Sequence, residues 1–114
     1  MKIQIKYQGK VLSNNILVAD NPLTRIIGLM FRKKPLDSDG LILEPCNSIH
    51  TFFMRYPLDI VFLSKTNEVV KIIRHLRPWR MTLIYFKARK TLELPAGNLP
   101  ADIKVGDILE VQNV

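Results

Sequence analysis

The chain has 114 residues, and 47% of them are apolar, which is enough to build one compact domain around a single core. Its only cysteine excludes an internal disulfide, and its longest apolar run, residues 26–31, is too short to cross a bilayer. We therefore expect a single domain over residues 1–114, located in the cytoplasm, with neither a signal peptide nor a membrane span.

The charge is strongly basic, since 17 Lys and Arg residues against 10 Asp and Glu residues leave a net charge of +7. Such a charge favours encounter with nucleic acid, anionic lipid or an acidic partner, but it does not specify the fold. The basic residues cluster at 32–34, 71–80 and 87–90. Because these clusters are spread over most of the chain, an ordinary solvated basic surface is the simpler interpretation.

The N-terminal third alternates strands with one helix. Residues 2–7 alternate with period two, which predicts a strand with one buried face, and turn residues then separate short strands at 10–12 and 16–19. Asp20, Asn21 and Pro22 can start a helix, because a capping side chain precedes a proline. The apolar positions of that helix are spaced i, i+3, i+4 and i+7, at Leu23, Ile26, Ile27 and Met30.

The rest of the chain reads as short strands separated by turns. Strands are predicted at 41–44, 49–54, 59–64, 69–76, 91–94 and 107–111. Residues 81–88 fit a strand or a short helix equally well. The pattern predicts a mainly β fold, a single compact β-barrel or sandwich of short strands with one short helix, about residues 22–31, packed against it.

The predicted strand at 49–54 carries polar residues among apolar ones. Alternation places Ile49, Thr51, Phe53 and Arg55 on one face and His50, Phe52 and Met54 on the other. Both faces are largely apolar, so the strand is predicted to be central. His50 is then either a core histidine bonded to a backbone carbonyl or a residue that lines a pocket, and Arg55 at the strand end can reach an anion.

Asp59 shares its predicted face with Val61 and Leu63, and an unpaired buried carboxylate is costly. It should therefore either accept backbone N–H bonds at the Pro57 turn or pair with an arginine. The candidate partners are Arg55, Arg74, Arg77 and Arg80. Arg74 is the most informative of these, because alternation groups it with apolar residues.

The segment "LRPWR", residues 76–80, places Arg77 and Arg80 on either side of a rigid proline and an indole. A planar guanidinium beside Trp79 could hold a carboxylate, a phosphate or a sugar ring. The alternative is that Trp79 covers the mouth of a barrel while both arginines stay in water. We expect Arg55 and Asp59 to lie next to this segment.

Metal and nucleophile chemistry have weaker support. Cys46 and His50, with the distant His75, lack a second ligand pair, so we predict no metal and no cofactor. An enzyme using Cys46, His50 and Asp59 has the right residue types, but on a straight strand Cys46 and His50 would lie roughly 13 Å apart.

Five motifs, taken in order, resemble the domain of unknown function (DUF) 192 family. They are "GLMFR" (28–32), "SIHTFFMRYPLDIVFL" (48–63), "LRPWR" (76–80), "LELPAG" (92–97) and "VGD" (105–107), so the resemblance covers about residues 28–110. It implies a compact β-rich domain with a small helix and no accepted activity. We expect structural roles at Gly28, Arg32, Thr51, Met54, Arg74, Glu93, Gly97, Gly106 and Asp107, with Gly97 and Gly106 in turns that need positive φ.

The favoured function is a non-catalytic binding module with an Arg/Trp-lined pocket for a small anionic or polyhydroxylated ligand. Its candidate ligand-binding residues are His50, Arg55, Asp59, Arg77, Trp79 and Arg80. The alternatives are a basic nucleic-acid-binding domain and a protein-interaction domain, with an enzyme ranked behind both. Nucleic acid is not favoured, because the aromatic residues are not interleaved with Lys and Arg on a recognisable face. The chain is expected to be a monomer or a weak homodimer.

Overall fold

The structure is a computed structural model that describes residues 2–20 and 39–113. The predicted helix over residues 22–31, together with Gly28 and Arg32, lies outside these residues. The described strands are β1 (Lys2–Tyr7), β2 (Lys10–Ala19), β3 (Gly40–Leu43), β4 (Leu58–Leu63), β5 (Val69–Leu76), β6 (Lys90–Pro95) and β7 (Glu110–Asn113). In this part of the chain, no helix is long and apolar enough to span a membrane.

All seven strands belong to one mixed sheet with the order β5-β4-β6-β3-β2-β1-β7. Neighbouring strands are antiparallel except β2 and β3, which run parallel with Ile16 opposite Gly40 and Ala19 opposite Leu43. The sheet curls, because the segment before β7 bonds to the start of β5: the Val69 N–H donates to the Asp107 carbonyl at 2.7 Å. This contact does not extend into a ladder between β5 and β7. The mainly β, sandwich-like prediction is confirmed, while the sheet is not a closed barrel.

Apolar side chains cover both faces of the central strands. One cluster lies on the β1, β2 and β7 side and includes Ile5, Ile16 and Val61. A second cluster lies on the opposite face and includes Ile60 and Phe62. All six residues of β4 are buried, since alternate side chains enter alternate clusters. The second cluster brings the segments that follow β3 and β5 against the sheet, and these segments carry the candidate site.

The prediction of a strand at residues 49–54 is wrong. Only His50 forms a bridge there, with Met81, and Phe52 and Phe53 form a turn in which Phe53 adopts a φ of 66°. The turn reverses the alternation, so Met54 is buried at 6% exposure whereas Phe53 is 46% exposed. Period two places side chains correctly only where the backbone stays extended.

The other strand predictions are largely confirmed. The strands at 41–44, 59–64, 69–76 and 91–94 agree with β3, β4, β5 and β6 to within a residue at either end. The two short strands at 10–12 and 16–19 form the single strand β2, and the last strand starts at Glu110, later than predicted. Residues 81–88 form neither a strand nor a helix but an irregular loop.

Candidate functional site

Two loops lie side by side at the centre of the candidate site. They are residues 47–53, after β3, and residues 77–85, after β5. The Thr82 N–H donates to the Ile49 carbonyl at 2.9 Å, and the Tyr85 N–H donates to the Asn47 carbonyl, also at 2.9 Å. The Ile49 N–H in turn donates to the Thr82 hydroxyl at 3.0 Å. Because these bonds connect backbone to backbone and to a short side chain, the two loops form one rigid platform.

Thr51 is the centre of this platform. Its backbone N–H donates to the Arg80 carbonyl at 2.7 Å, and its carbonyl accepts the Trp79 N–H at 2.9 Å. Its hydroxyl donates to the Arg77 carbonyl at 2.6 Å and accepts the Arg80 N–H at 2.9 Å. The side chain is fully buried, so these bonds are protected from water. Thr51 therefore fixes the backbone that carries Arg77, Trp79 and Arg80.

Aromatic side chains form a continuous cluster on the platform. The rings of His50 and Phe52 stack with centroids 4.9 Å apart, Phe52 lies 6.0 Å from Trp79, and Phe53 meets Trp79 edge to face at 4.7 Å. Trp79 is 56% exposed and Phe53 is 46% exposed. Phe53 and Trp79 are thus both partly exposed to solvent while they contact each other.

Phe53 and Trp79 both have left-handed backbone conformations, with φ of 66° and 65°. A bulky residue rarely adopts such a φ, which costs on the order of 1–3 kcal/mol at each position. Strain of this kind persists only where surrounding contacts impose it, and it is concentrated at functional sites. Here the Thr51 bonds impose it at Trp79.

The candidate arginines lie near the aromatic residues in the chain. Arg55, Arg77 and Arg80 are all exposed, and the Arg80 guanidinium makes a long contact of 3.5 Å to the Trp79 carbonyl. No Asp or Glu occurs in residues 45–58 or 69–90, which include both loops of the platform. An anion that approaches this surface therefore meets no carboxylate from either segment.

His50 is exposed and belongs to the same surface. Its Nδ1 accepts the Phe52 N–H at 3.2 Å, which orients the ring against Phe52. This exposure excludes the core interpretation of His50, since a core histidine would be buried.

Asp59 lies apart from these side chains. It is 3% exposed, its Oδ1 accepts the His75 N–H at 2.9 Å, and its Oδ2 accepts the Gly97 and Leu99 N–H groups at 2.9 and 3.2 Å. The carboxylate is thus satisfied by backbone amides of β5 and of the turn after β6. Of the two predicted alternatives, acceptance of backbone N–H bonds is the one observed, although these amides lie in β5 and after β6 and not at the Pro57 turn.

Arg74, predicted as a partner of Asp59, instead donates to the carbonyls of Leu99 at 3.1 Å and Pro100 at 2.6 Å. Leu58 pairs with Leu76, so Asp59 lies beside the start of the 76–80 segment, although its carboxylate binds backbone amides elsewhere. Thr51, Phe52 and Phe53 also contact that segment. The position of Arg55 beside it stays a prediction.

Several expected structural positions have clear roles. Gly97 and Gly106 adopt φ of 94° and 96°, values that favour glycine over other residues. The Asp107 carboxylate accepts the Tyr7 hydroxyl at 2.6 Å and the Lys104 N–H at 3.0 Å, and these bonds hold the pKa of Asp107 below its usual value. Glu93 is buried in the central strand β6, and burial raises its pKa to about 8.

Cys46 lines a separate open pocket of about 370 Å³ with Phe86 and Arg89. Its thiol donates to the Ser48 carbonyl at 3.1 Å, whereas the His50 Nδ1 accepts the Phe52 N–H, so neither of these contacts joins the two side chains. Within residues 2–20 and 39–113, no three His, Cys, Asp or Glu side chains are grouped to hold a metal ion.

The exposed apolar surface after Trp79 was not predicted from the sequence. Four apolar side chains project from the loop after Trp79: Met81, Leu83, Ile84 and Phe86, with exposures of 70, 75, 54 and 85%. The sequence feature that could have indicated this surface is the apolar pattern of residues 81–88, which fits a strand and a short helix equally well. Exposed apolar residues that cluster in one loop often mark a binding surface.

Comparison with known proteins supplies a family and a fold. The model of the family DUF192, described as "Uncharacterized ACR", matches residues 3–111. A UPF0127 protein of Pyrococcus furiosus is 35% identical over 112 residues, which cover 90% of this chain and 91% of the relative. A UPF0127 protein of Pyrococcus horikoshii is 38% identical over 86 residues, or 72% of this chain and 73% of the relative. The crystal structure of a Novosphingobium aromaticivorans protein of unknown function matches with a TM-score of 0.78 over 96% of this chain and 84% of that chain; at 24% identity it indicates the fold alone.

Proposed function

The chain belongs to the DUF192 family, and from this premise we propose that it is a non-catalytic binding protein for a small anionic ligand. The proposed contact surface consists of Arg77, Trp79 and Arg80 on one loop and His50 and Phe53 on the other. The arginines neutralise the anion, and the aromatic faces pack against a ring of the ligand. This arrangement needs no nucleophile and no general base.

The observation that carries the proposal is the conformation of Phe53 and Trp79. Both are bulky, half exposed and held at positive φ, and they contact each other at 4.7 Å. A fold that maintains two such residues at the surface gives up stability that an ordinary turn would keep. Contact between these two rings and a ligand explains why the fold retains this loss of stability.

The charge around the rings supports an anion as the ligand. Arg77 and Arg80 flank Trp79 in the chain, and no acidic residue occurs between positions 69 and 90. A guanidinium can bind phosphate or carboxylate through two parallel hydrogen bonds, which adds geometric selectivity to charge attraction. Asp59 is left out of the contact surface, because its carboxylate is bonded to backbone amides.

The experiment uses Trp79, the only tryptophan, as the reporter. The purified protein is titrated with adenosine monophosphate, glucose 6-phosphate and inorganic phosphate, and with uncharged adenosine and glucose, while tryptophan emission is followed. We expect saturable quenching by adenosine monophosphate, weaker responses to the other anions, and none to the uncharged compounds.

Matched variants connect the response to the site. Arg77→Ala/Arg80→Ala should weaken binding at least about tenfold, since each lost charged hydrogen bond is worth about 1.5–3 kcal/mol. Lys10→Ala/Lys65→Ala removes the same charge from exposed positions elsewhere and should leave binding unchanged. A double arginine variant that binds as tightly as the Lys10/Lys65 control would contradict the proposal. The absence of any response to the charged compounds at millimolar concentration would do so as well.

A further inference from the structure

The loop after Trp79 presents an apolar surface that the proposed ligand site does not use. We call Met81, Leu83, Ile84 and Phe86 the apolar loop; their side chains are 54–85% exposed. Leu83 and Phe86 expose three quarters or more of their surface, which places them entirely outside the core. Exposed apolar residues that occur singly are ordinary, but a cluster of this kind in one loop marks a contact surface.

The apolar loop is held rigidly from below. Thr82 and Tyr85, which alternate with the exposed residues, point inward: the Thr82 hydroxyl accepts the Ile49 N–H at 3.0 Å, and the Tyr85 ring packs on Phe62 at 4.7 Å. The backbone N–H groups of both residues donate to carbonyls of the neighbouring loop. The backbone N–H groups of Thr82 and Tyr85 therefore already have hydrogen-bond partners. Insertion of the outward side chains into an apolar medium would leave neither group unsatisfied.

Basic residues flank the apolar loop on both sides. Arg80 precedes it and Lys87 and Arg89 follow it, and all three are exposed. No acidic residue lies within residues 69–90, which span the loop and its surroundings. The medium that covers the loop must therefore combine an apolar interior with a negatively charged border.

We propose that the protein docks peripherally on anionic lipid membranes, with the apolar loop inserted between lipid headgroups and the flanking basic residues paired with headgroup phosphates. Bilayers whose lipids are anionic provide the required combination, an acyl region beneath a layer of negative charge. Aliphatic Met81, Leu83 and Ile84 favour lipid over nucleic acid, because bases stack on aromatic and guanidinium planes and not on aliphatic chains.

The membrane inference goes beyond the proposed ligand site and does not depend on it. The test uses vesicles that contain phosphatidylglycerol and vesicles of pure phosphatidylcholine, with co-sedimentation and the Trp79 emission maximum as readouts. We expect binding to the anionic vesicles with a blue shift of Trp79, weakened by added salt, and little binding to the neutral ones.

A pair of double variants separates apolar insertion from net charge. Leu83→Glu/Ile84→Glu should lower the apparent affinity for anionic vesicles at least about tenfold. Val11→Glu/Val105→Glu, at positions 49 and 60% exposed elsewhere, carries the same net charge and should bind within about twofold of the unmodified protein. Both pairs change exposed residues, so both variants should fold.

Four outcomes would overturn the inference. They are equal binding to neutral vesicles, equal losses in the two double variants, tight oligonucleotide binding without vesicle binding, and a dimer that forms without vesicle binding and is disrupted by Leu83→Glu/Ile84→Glu. The ligand titration keeps the two proposals distinct, because the uncharged variant Leu83→Ser/Ile84→Ser, which adds no carboxylate beside Arg80, should weaken vesicle binding and leave quenching by adenosine monophosphate unchanged. An unmodified protein that binds the ligand but no anionic vesicles refutes membrane docking, and one that binds the vesicles but no ligand refutes the ligand site.

Discussion

Replacement of Thr51 by valine tests the hydrogen bonds that hold the platform together. Valine keeps the shape of threonine but removes the hydroxyl, which donates to the Arg77 carbonyl at 2.6 Å and accepts the Arg80 N–H at 2.9 Å. Thr51 is fully buried, so the Arg80 N–H loses its hydroxyl partner in a position that water does not reach directly. An unsatisfied buried group costs about 1–3 kcal/mol, and the lost hydrogen bond to Arg77 adds about 1 kcal/mol. We therefore expect Thr51→Val to lower the free energy of unfolding by roughly 2–4 kcal/mol.

The assay is urea unfolding followed by far-ultraviolet circular dichroism, with amide hydrogen exchange at Trp79 and Arg80 as a local readout. Thr51→Ser is the matched control, because it keeps the hydroxyl and loses one methyl group, a cost of about 1 kcal/mol. Exchange at both amides should accelerate in the valine variant and stay slow in the serine variant. A valine variant at least as stable as the serine variant would refute the role given to the hydroxyl.

Three further predictions concern Glu93, Asp59 and Trp79. Burial raises the pKa of Glu93 to about 8 from 4.5, so the contribution of this residue to stability should be complete below about pH 4.5 and be lost as the pH rises through about 8. Glu93→Gln should remove this contribution and be more stable than the unmodified protein at pH 9; a pH profile unchanged by the substitution would contradict the burial argument. Asp59→Asn should cost about 2–4 kcal/mol in urea unfolding, since an amide cannot accept all three backbone N–H groups, and a neutral effect would show that these bonds add little. Trp79→Leu should weaken the binding of adenosine monophosphate, measured by calorimetry, without lowering stability by more than about 1 kcal/mol, whereas an unchanged heat of ligand binding would exclude Trp79 from the site.

The strands could be predicted because their residues obey a local rule. Alternation and short apolar runs located β4, β5 and β6 within a residue of their true bounds, since burial in these strands follows from period two alone. The motif resemblance to DUF192 is also confirmed, by a family match over residues 3–111. Both results rest on information carried by short stretches of the chain.

The prediction of a strand at residues 49–54 failed because Phe53 adopts a positive φ, which bulky residues rarely do. Nothing in the letters "TFFM" indicates a turn, and Phe53 takes its φ of 66° only within the assembled platform. The same holds for Trp79, whose N–H bonds to a carbonyl 28 positions away in the chain, that of Thr51. Sequence propensities reflect a residue and its near neighbours in the chain. They do not include a contact between residues 28 positions apart.

The surroundings of Asp59 were predicted in kind and not in detail. The need to satisfy a buried carboxylate followed from the sequence, and the choice between amides and an arginine was open. Its partners, the N–H groups of His75, Gly97 and Leu99, lie 16, 38 and 40 positions away. Every residue except proline carries such an N–H, so residue type gives no signal for this interaction.

The candidate site was predicted as a list of residues and not as an arrangement. His50, Trp79 and Arg80 do meet, through Thr51 and Phe52, while Asp59 lies elsewhere. The apolar loop was missed because exposed hydrophobic side chains contradict the usual rule that such residues enter the core. The sequence therefore predicted which residue types occur at this surface. It did not predict their arrangement, which depends on hydrogen bonds between two loops.

The central claim is that an anionic ligand binds where the arginines surround Trp79. The most direct measurement is nuclear magnetic resonance of the protein titrated with adenosine monophosphate, observing the Trp79 indole N–H and the arginine side-chain N–H signals. The proposal predicts saturable shifts at Trp79, Arg77 and Arg80, with none at the control residue Arg74, whose guanidinium donates to the Leu99 and Pro100 carbonyls. Shifts confined to other residues, or none at saturating ligand, would contradict it.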